Sequence, residues 1–399
     1  MRPSLLSSTQ FALWFAALLG LAYFLLVIVL APGGPFGDDL DIAIQVGRAQ
    51  AAHNPWPILW TQHNEHRLLV TELMFWGQRA LMGAPNYTLL AFAGGLFLIP
   101  IFLILAQRAS RIERGAGAAL VFAAAMTFSY SSADSMLWAM AAISNYGVIA
   151  FAAAMVWLLN LDTAASRAGA LACAILAVAS QGNGILAPFL GAAYLVTGRR
   201  WGWAALWLAV SIAVAAAYLH GYARPDNLSD PLDSMRHPIG VGLFALVMSG
   251  SAFGYPMASV GLRLAVTILS ALLGVVLCGL TVFGFMRSRF LTRDPLLWFN
   301  AFLLGSILLA ALGRLDMGLI QALAPRYHIN SCLLAASCVM VAASDGFGAA
   351  LGALARKTLP ALAVGGCLYL AASSLTLWRM HTFYAAHVGE RYSPPPAPN

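Results

Sequence analysis

Long apolar runs separated by short polar gaps follow one another along most of the 399-residue chain. Many of these runs reach about 18 residues, the length that a helix needs to cross a hydrocarbon core of ~30 Å. Because lipid offers no hydrogen-bond partner to an exposed backbone, the spanning segments are expected to be helices. The pattern therefore predicts an all-α fold, a polytopic membrane helical bundle.

The bundle is predicted to form one integral membrane domain, residues 1–378, followed by a polar, Pro-rich tail, residues 379–399. Hydropathy indicates about eleven transmembrane helices. The segment Gly169–Thr197 is interpreted as two short helices broken at Ser180–Gly184, where Gly and Asn permit a tight turn. The predicted spans are Phe11–Ala31, Thr88–Gln107, Ala116–Ser131, Ala142–Leu159, Gly169–Ala179, Gly184–Thr197, Trp203–Leu219, Leu262–Met286, Pro295–Gly313, His328–Ser344 and Thr358–Leu377.

Arginine is concentrated in every second gap, and the positive-inside rule places such gaps in the cytoplasm. The N-terminus is then cytoplasmic and the C-terminus extracytoplasmic in a bacterial inner membrane, and residues 32–87 form a long extracytoplasmic loop. Counting Leu68–Met82 as a span would invert every later gap, so this segment is predicted to be a juxtamembrane or re-entrant helix. Ile239–Phe253 is interpreted in the same way. The basic gap residues are Arg108, Arg111, Arg114, Arg199, Arg200, Arg287, Arg289, Arg293, Arg356 and Lys357.

The composition excludes a water-soluble globule, because only 9% of the residues are charged and a soluble domain carries roughly 25%. The formal net charge is +7, but the chain has no basic stripe interleaved with aromatic residues. Nucleic acid is therefore not expected as a partner. The five cysteines lie inside apolar runs without CxxC spacing, which indicates buried apolar residues instead of a metal site or disulfides.

An acidic cluster, Asp38, Asp39 and Asp41, follows the first predicted helix. Three carboxylates so close together repel one another, which raises the pKa of at least one unless a cation lies nearby. Such a group suits a general base, and Asp38 with Asp39 would also suit a hard divalent cation, Mg²⁺ or Mn²⁺. The alternative is a solvated loop in which Asp41 caps the next helix.

A second polar cluster contains His63, Glu65, His66 and Arg67 in five consecutive positions. Its spacing differs from the HExxH pattern, so zinc is weakly indicated. Arg67 offers a planar donor fork for phosphate, and Glu65 would pair with it or orient a hydroxyl. The alternative is an interfacial hydrogen-bond network that is satisfied within the protein.

A third feature, Arg326-Tyr327, precedes a predicted helix at its outer end. Arginine at this depth is costly unless it is paired, so Arg326 is a candidate for binding phosphate at the bilayer surface, with Tyr327 as an interfacial anchor. The alternative is an arginine whose head group reaches the interface beside an aromatic belt.

The arrangement resembles the GT-C superfamily of membrane glycosyltransferases, which use polyprenyl-phosphate-linked sugars. The resemblance is carried by the acidic motif Gly37–Asp41, the juxtamembrane helices within Ala43–Met82, the broken pair Gly169–Thr197 and the late Arg326-Tyr327. It implies an inverting transfer of sugar to an envelope glycan, lipid or protein. Asp38, Asp39 or Asp41 would then serve as the base, while the two other clusters or a divalent cation would stabilise the leaving phosphate.

Two other classes of function fit the same sequence. A lipid or glycan transporter or flippase would need ionisable groups at mid-membrane depth, and the predicted helix centres contain almost none. A non-catalytic membrane protein of envelope assembly would tolerate alanine at Asp38, Asp39 and Glu65.

Overall fold

The computed structural model describes residues 8–225, 229–253 and 260–389. Within these ranges the secondary structure is helical, apart from one isolated bridge between His63 and His66. The all-α prediction is therefore confirmed for the described part of the chain. Residues 390–399 of the predicted tail lie outside it.

Nineteen α-helices are present in the described residues, joined in several places by 3-10 turns and in one place by a π-turn at Ala142–Tyr146. The 3-10 turn Gly182–Ile185 separates α11 from α12, and Pro325–Tyr327 leads into α18. The α-helices are α1 (Ser8–Leu30), α2 (Asp39–Ala51), α3 (Trp56–Leu59), α4 (Leu69–Met82), α5 (Tyr87–Gly95), α6 (Leu98–Ala109), α7 (Ala116–Thr127), α8 (Ala133–Leu137), α9 (Ala139–Ala141), α10 (Gly147–Leu161), α11 (Ala164–Ser180), α12 (Leu186–Thr197), α13 (Trp201–Leu219), α14 (Pro231–Ser234), α15 (Pro238–Ser249), α16 (Val260–Arg287), α17 (Pro295–Arg314), α18 (His328–Ala343) and α19 (Ala349–Ala386).

Eight helical segments of the described chain are long and apolar enough to cross a membrane, so the chain is a membrane protein with transmembrane helices. The predicted count of about eleven is not confirmed. The difference lies in α11, α12 and α18, which have 17, 12 and 16 residues. At 1.5 Å per residue, a helix of 16 residues is about 24 Å long, which is shorter than a hydrocarbon core of ~30 Å. The eight segments are Ser8–Leu30, Tyr87–Ala109, Ala116–Leu137, Ala139–Leu161, Trp201–Leu219, Gly261–Arg287, Pro295–Met317 and Ala349–Ala386.

The three short helices nevertheless connect the two ends of the bundle. The helices α11 and α12 form a hairpin whose open ends meet where Arg200 contacts Asp162, at 2.6 Å. The turn between them lies at the other end of the bundle, where the N–H of Gly182 donates to His66. This observation confirms the predicted break at Ser180–Gly184. The helix α18 is buried on nearly all sides, which explains how it tolerates a short length.

The arginine-rich gaps come together at one end of the bundle. Arg108 in the last turn of α6 contacts Asp294 before α17 at 2.6 Å, and its Nε also donates to Ser344 after α18. Asp162 receives Arg167, Arg200 and Arg293 from three separate gaps. The paired aspartates show that these gaps lie together, as the alternating topology requires.

The opposite end carries the loop with α2, α3 and α4. The helix α4 coincides with the predicted juxtamembrane segment Leu68–Met82 and is not among the eight candidate spans. Its Glu72 is buried and accepts a hydrogen bond from Gln45 of α2 at 2.7 Å, so α4 packs on its neighbour through a polar contact. The helix α15, with 12 residues, occupies most of the predicted segment Ile239–Phe253.

The last helix is longer than its apolar core indicates. It was expected over Thr358–Leu377, but α19 extends from Ala349 to Ala386 and includes the beginning of the predicted tail. The polar flanks remain helical because they find partners within the protein. Arg356 contacts Asp345 at 2.9 Å, and His381 Nδ1 lies 2.8 Å from the carbonyl oxygen of Leu30.

Candidate functional site

The second polar cluster forms a tight hairpin. The backbone N–H groups of His63 and His66 donate to each other's carbonyl oxygens at 2.7 and 2.9 Å. Asn64, at the tip, has φ of 49°, a left-handed conformation that asparagine tolerates better than most residues. The turn places the side chains of both histidines and of Glu65 at the same end of the bundle as Asp38.

Arg67 anchors this hairpin to α13. Its Nε donates to the carbonyl oxygen of Tyr218 at 2.8 Å, Nη2 donates to that of His220 at 2.6 Å, and Nη1 donates to that of Trp60. The last carbonyls of a helix have no partner in the helix and favour a cation. The side chain predicted to bind phosphate is thus 5% exposed and directs three donors to backbone oxygens.

The two neighbouring aspartates have different environments. Asp39 is fully buried, and its two carboxylate oxygens accept the N–H groups of Met140 at 2.8 Å and Phe36 at 3.3 Å. Burial raises the pKa of Asp39 to about 7, although both N–H groups act in the opposite direction. Asp39 thereby ties the start of α2 to α9. Asp41, which is half-buried, lines neither of the two cavities described below.

Asp38, in contrast, faces a cavity and is accessible. Its Oδ2 lies 3.3 Å from His63 Nε2 and accepts a hydrogen bond from Asn64 Nδ2 at 3.2 Å. The carboxylate and the imidazole are therefore held as a pair by the hairpin. This pair can accept a proton from a hydroxyl group in the cavity.

Glu65 contacts Arg314 at the end of α17, a residue that the sequence did not single out. His66 completes the contact from the other side, because its Nε2 lies 3.5 Å from Glu65 and its Nδ1 accepts the Gly182 N–H at 3.3 Å. Burial opposes ionisation of Glu65, but His66 and Arg314 outweigh it and lower the pKa of Glu65 to about 2. Removal from solvent lowers the pKa of His66, and the Glu65 carboxylate acts in the opposite direction.

Arg314 and Arg326 both lie close to the ring of Tyr327. Their guanidinium carbons are 5.8 and 5.3 Å from the centre of its ring. Arg326 also lies within electrostatic reach of Asp134, which accepts a hydrogen bond from the Tyr384 hydroxyl at 2.6 Å. Two arginines, each with a carboxylate as a neighbour, are therefore fixed on one side of the site.

Two cavities meet at these arginines. Cavity A has a volume of about 380 Å³ and extends between apolar side chains such as Val148, Ile185 and Leu309. Cavity B has a volume of about 270 Å³ and is lined by Asp38, His63 and Trp138 among others. The wall that lines both cavities consists of Glu65, His66, Asn145, Gln181, Arg314 and Arg326.

The structure thus brings together Asp38, His63, Glu65, His66, Arg326 and Tyr327 from the predicted set, and it assigns Asp39 and Arg67 to the supporting framework. Sequence reasoning missed Arg314, which follows a long apolar run, and Asn145. The only signal for Arg314 in the sequence was a single charge at the end of an apolar helix. For Gln181 and Gly182 the sequence predicted only a position at a helix break.

Metal binding finds no support in the arrangement of the side chains. In the described ranges, no three or more His, Cys, Asp or Glu residues are grouped so that they would hold an ion. Both oxygens of Asp39 accept backbone N–H groups, and the divalent cation predicted at Asp38 and Asp39 stays a prediction.

Comparison of the chain with models of protein families, with curated proteins and with solved structures finds no match.

Proposed function

We propose that this protein is a membrane glycosyltransferase that moves a sugar from a polyprenyl-phosphate donor to an acceptor at the outer face of the inner membrane. The acceptor class is an envelope glycan, lipid or protein. One observation carries the proposal: two cavities share a wall that holds two arginines, and Asp38 lines only one of them. A two-substrate transfer needs such a division, with a base on the acceptor side and cations at the junction.

Cavity A suits the donor lipid. Its apolar lining can accommodate the first part of a lipid chain, and Arg314 and Arg326 stand at one of its walls. Guanidinium groups match the geometry of phosphate oxygens. Ligand pockets are commonly apolar with a few polar groups that fix orientation, and this cavity has that composition.

Cavity B suits the acceptor. Asp38, paired with His63, removes the proton of the acceptor hydroxyl, whose oxygen then attacks the anomeric carbon. The bond between that carbon and the phosphate oxygen breaks, and the electron pair leaves with the phosphate. Arg314 and Arg326 stabilise the charge that grows on the leaving group. A single displacement inverts the anomeric configuration, and the proton remains on the Asp38–His63 pair until water removes it.

The test uses the purified chain in nanodiscs with a radiolabelled polyprenyl-phosphate sugar and an extract of envelope acceptors. We expect Asp38→Asn to lower the transfer rate about 10²- to 10⁴-fold, the range for removal of a general base. Arg326→Gln should lower it as well. Asp41→Asn is the matched control, because Asp41 belongs to the same motif but lines neither cavity.

Wild-type rates in both Asp38→Asn and Arg326→Gln would overturn the assignment. Movement of a labelled lipid across proteoliposomes without any chemical conversion would favour a flippase instead.

A further inference from the structure

Cavity A is lined by three arginines and, among the residues that the structure describes, by a single carboxylate, that of Glu65. The arginines are Arg224, Arg314 and Arg326. Arg224 has a partner outside the lining of the cavity, because it contacts Asp230 at 2.6 Å. Glu65 is therefore the acidic group that a negatively charged ligand would meet on entering the cavity.

The carboxylate of Glu65 occupies the binding position at Arg314. Its Oε1 accepts a hydrogen bond from Nη2 of Arg314, and this is the one hydrogen bond of that guanidinium within the described ranges. The positive charge of Arg326 also acts on Glu65. Arginine binds carboxylate and phosphate oxygens with the same donor groups. The carboxylate therefore takes the place at Arg314 that a phosphate oxygen of a ligand would need.

His66 offers Glu65 a second partner. The backbone N–H of Gly182 can only donate, so the Nδ1 of His66, 3.3 Å away, accepts and carries no proton. The Nε2 of the same ring then carries the proton, and it lies 3.5 Å from the Glu65 carboxylate. A Glu65 carboxylate that releases Arg314 therefore keeps a donor beside it.

Only the side chain of Glu65 needs to move for this exchange. The backbone of the hairpin is held by the reciprocal hydrogen bonds between His63 and His66, and the Tyr218 hydroxyl donates to the carbonyl oxygen of Glu65 at 3.4 Å. Glu65 also lines cavity B, whose volume is about 270 Å³, so its side chain borders open space on both sides of the shared wall. A change of rotamer can therefore free Arg314 without refolding the hairpin.

Competition for Arg314 weakens the binding of every anionic ligand. A phosphate and the Glu65 carboxylate repel each other and cannot share the same donor. The apparent affinity of a ligand is reduced by the fraction of molecules in which its site is available. Because this factor is the same for all anions, a ligand must gain binding free energy elsewhere in order to bind at working concentrations. A lipid chain gains it from the apolar lining of cavity A.

We propose that Glu65 is a specificity-determining residue, which occupies the anion site of Arg314 in the ligand-free protein and thereby excludes soluble phosphates. A phosphate attached to a lipid displaces Glu65, because the lipid chain is buried in cavity A at the same time. Inorganic phosphate and pyrophosphate lack these contacts and do not displace it. This inference rests on the proposed function and adds to it how a site rich in arginine rejects the soluble anions around it.

The experiment measures equilibrium binding of two probes to the full chain in nanodiscs of zwitterionic lipid. The probes are polyprenyl phosphate without a sugar and inorganic pyrophosphate. The wild type should bind the lipid phosphate but not measurably the pyrophosphate. Glu65→Gln should bind polyprenyl phosphate about tenfold more tightly, the factor expected when Arg314 is available in about 10% of wild-type molecules, and its binding of pyrophosphate should become measurable. A gain in affinity cannot result from a folding defect.

Two controls separate local competition from a general effect of charge. Asp233→Asn also removes one negative charge, but Asp233 is exposed, pairs with Arg236 and lines neither cavity. We expect this variant to bind both probes as the wild type does. In the double variant Glu65→Gln/Arg314→Gln the gain in affinity should disappear, because the donor for which the two anions compete is absent.

Equal or weaker binding of polyprenyl phosphate by Glu65→Gln would overturn the inference, because Glu65 would then orient Arg314 instead of competing for it. A gain of the same size in Asp233→Asn would overturn it too, and so would failure of both the wild type and Glu65→Gln to bind either probe. The proposed function fails separately, if polyprenyl phosphate binds but the sugar of the polyprenyl-phosphate donor is not transferred.

Discussion

Asn substitutions at the two neighbouring aspartates are expected to separate support from catalysis. Asp39→Asn should leave most of the transfer rate at pH 6, where a buried carboxyl with a pKa of about 7 is mostly neutral, although the single amide oxygen can accept only one of the Met140 and Phe36 N–H groups. Asp38→Asn should lower the transfer rate about 10²- to 10⁴-fold without changing the stability, because Asp38 faces cavity B. The difference follows from burial, since Asp39 is fully buried and Asp38 is not.

The magnitude for Asp39 comes from its raised pKa. The change from 3.8 to about 7 corresponds to about 4 kcal/mol, at 1.36 kcal/mol per pKa unit. The pKa of this acid is raised in the folded state, so the stability it contributes is complete below pH 3.8 and is lost as the pH rises through 7. The free energy of unfolding of the wild type should therefore fall over this range relative to that of Asp39→Asn.

The assay is unfolding of both proteins in detergent between pH 5 and pH 8.5, with transfer measured on the same samples. As a companion variant, Asp39→Ala removes both acceptors of the Met140 and Phe36 N–H groups. It should cost about 2–6 kcal/mol at pH 6, or about 1–3 kcal/mol for each unsatisfied N–H. The reasoning is refuted if Asp39→Asn loses transfer while its unfolding keeps the pH dependence of the wild type.

Three further substitutions test the framework around the site. Arg67→Lys keeps the charge but loses the planar fork, and should lower the free energy of unfolding by about 3 kcal/mol. Gly182→Ala should lower transfer, because the added Cβ would lie 2.9 Å from His66 Nδ1, whereas Gly202→Ala has nothing within 4 Å. Glu72→Gln should be more stable than the wild type above pH 8 and nearly equal at pH 4, because burial raises the pKa of Glu72 to about 8 and stability is lost as the pH rises through that value.

Each of these expectations has a clear contrary result. If Arg67→Lys keeps the wild-type free energy of unfolding but loses binding of the donor lipid, Arg67 belongs to the substrate site. Equal transfer by Gly182→Ala and Gly202→Ala would show that the His66 position does not matter. Parallel pH profiles of Glu72→Gln and the wild type would mean that this carboxyl is ionised in the folded protein.

The helices were predictable from the sequence because a segment that crosses lipid must be apolar and must satisfy its own backbone hydrogen bonds. Each predicted span lies mainly on helical residues, although Thr88–Gln107 is divided between α5 and α6. The segment Leu68–Met82, which the topology argument separated from the spans, is not among the eight candidate spans. The bounds of α18 were predicted to within one residue, but its enclosure by the protein was not predictable in the same way. Its burial comes from neighbours that are distant in sequence, and hydropathy does not distinguish a lipid-facing helix from one enclosed by protein.

The site was predictable as a region but not residue by residue. The hairpin His63–His66 and the acidic motif could be recognised as polar clusters. Adjacent side chains point in different directions, and the sequence does not show which one faces a cavity and which one accepts backbone N–H groups. Asp38 and Asp39 were therefore equivalent in sequence. The sequence predicted phosphate binding equally for Arg67 and Arg326. In the structure, Arg67 donates instead to carbonyl oxygens at the end of α13.

The end of α19 has a consequence for biosynthesis. Tyr384 holds Asp134, His381 lies against the carbonyl of Leu30, and the N–H of Gly389 donates to the carbonyl of Pro35 at 2.8 Å. These contacts brace the beginning of the chain and the neighbourhood of Arg326 with residues that the ribosome makes much later. A nascent chain that has already inserted its first helices therefore lacks these contacts until α19 docks.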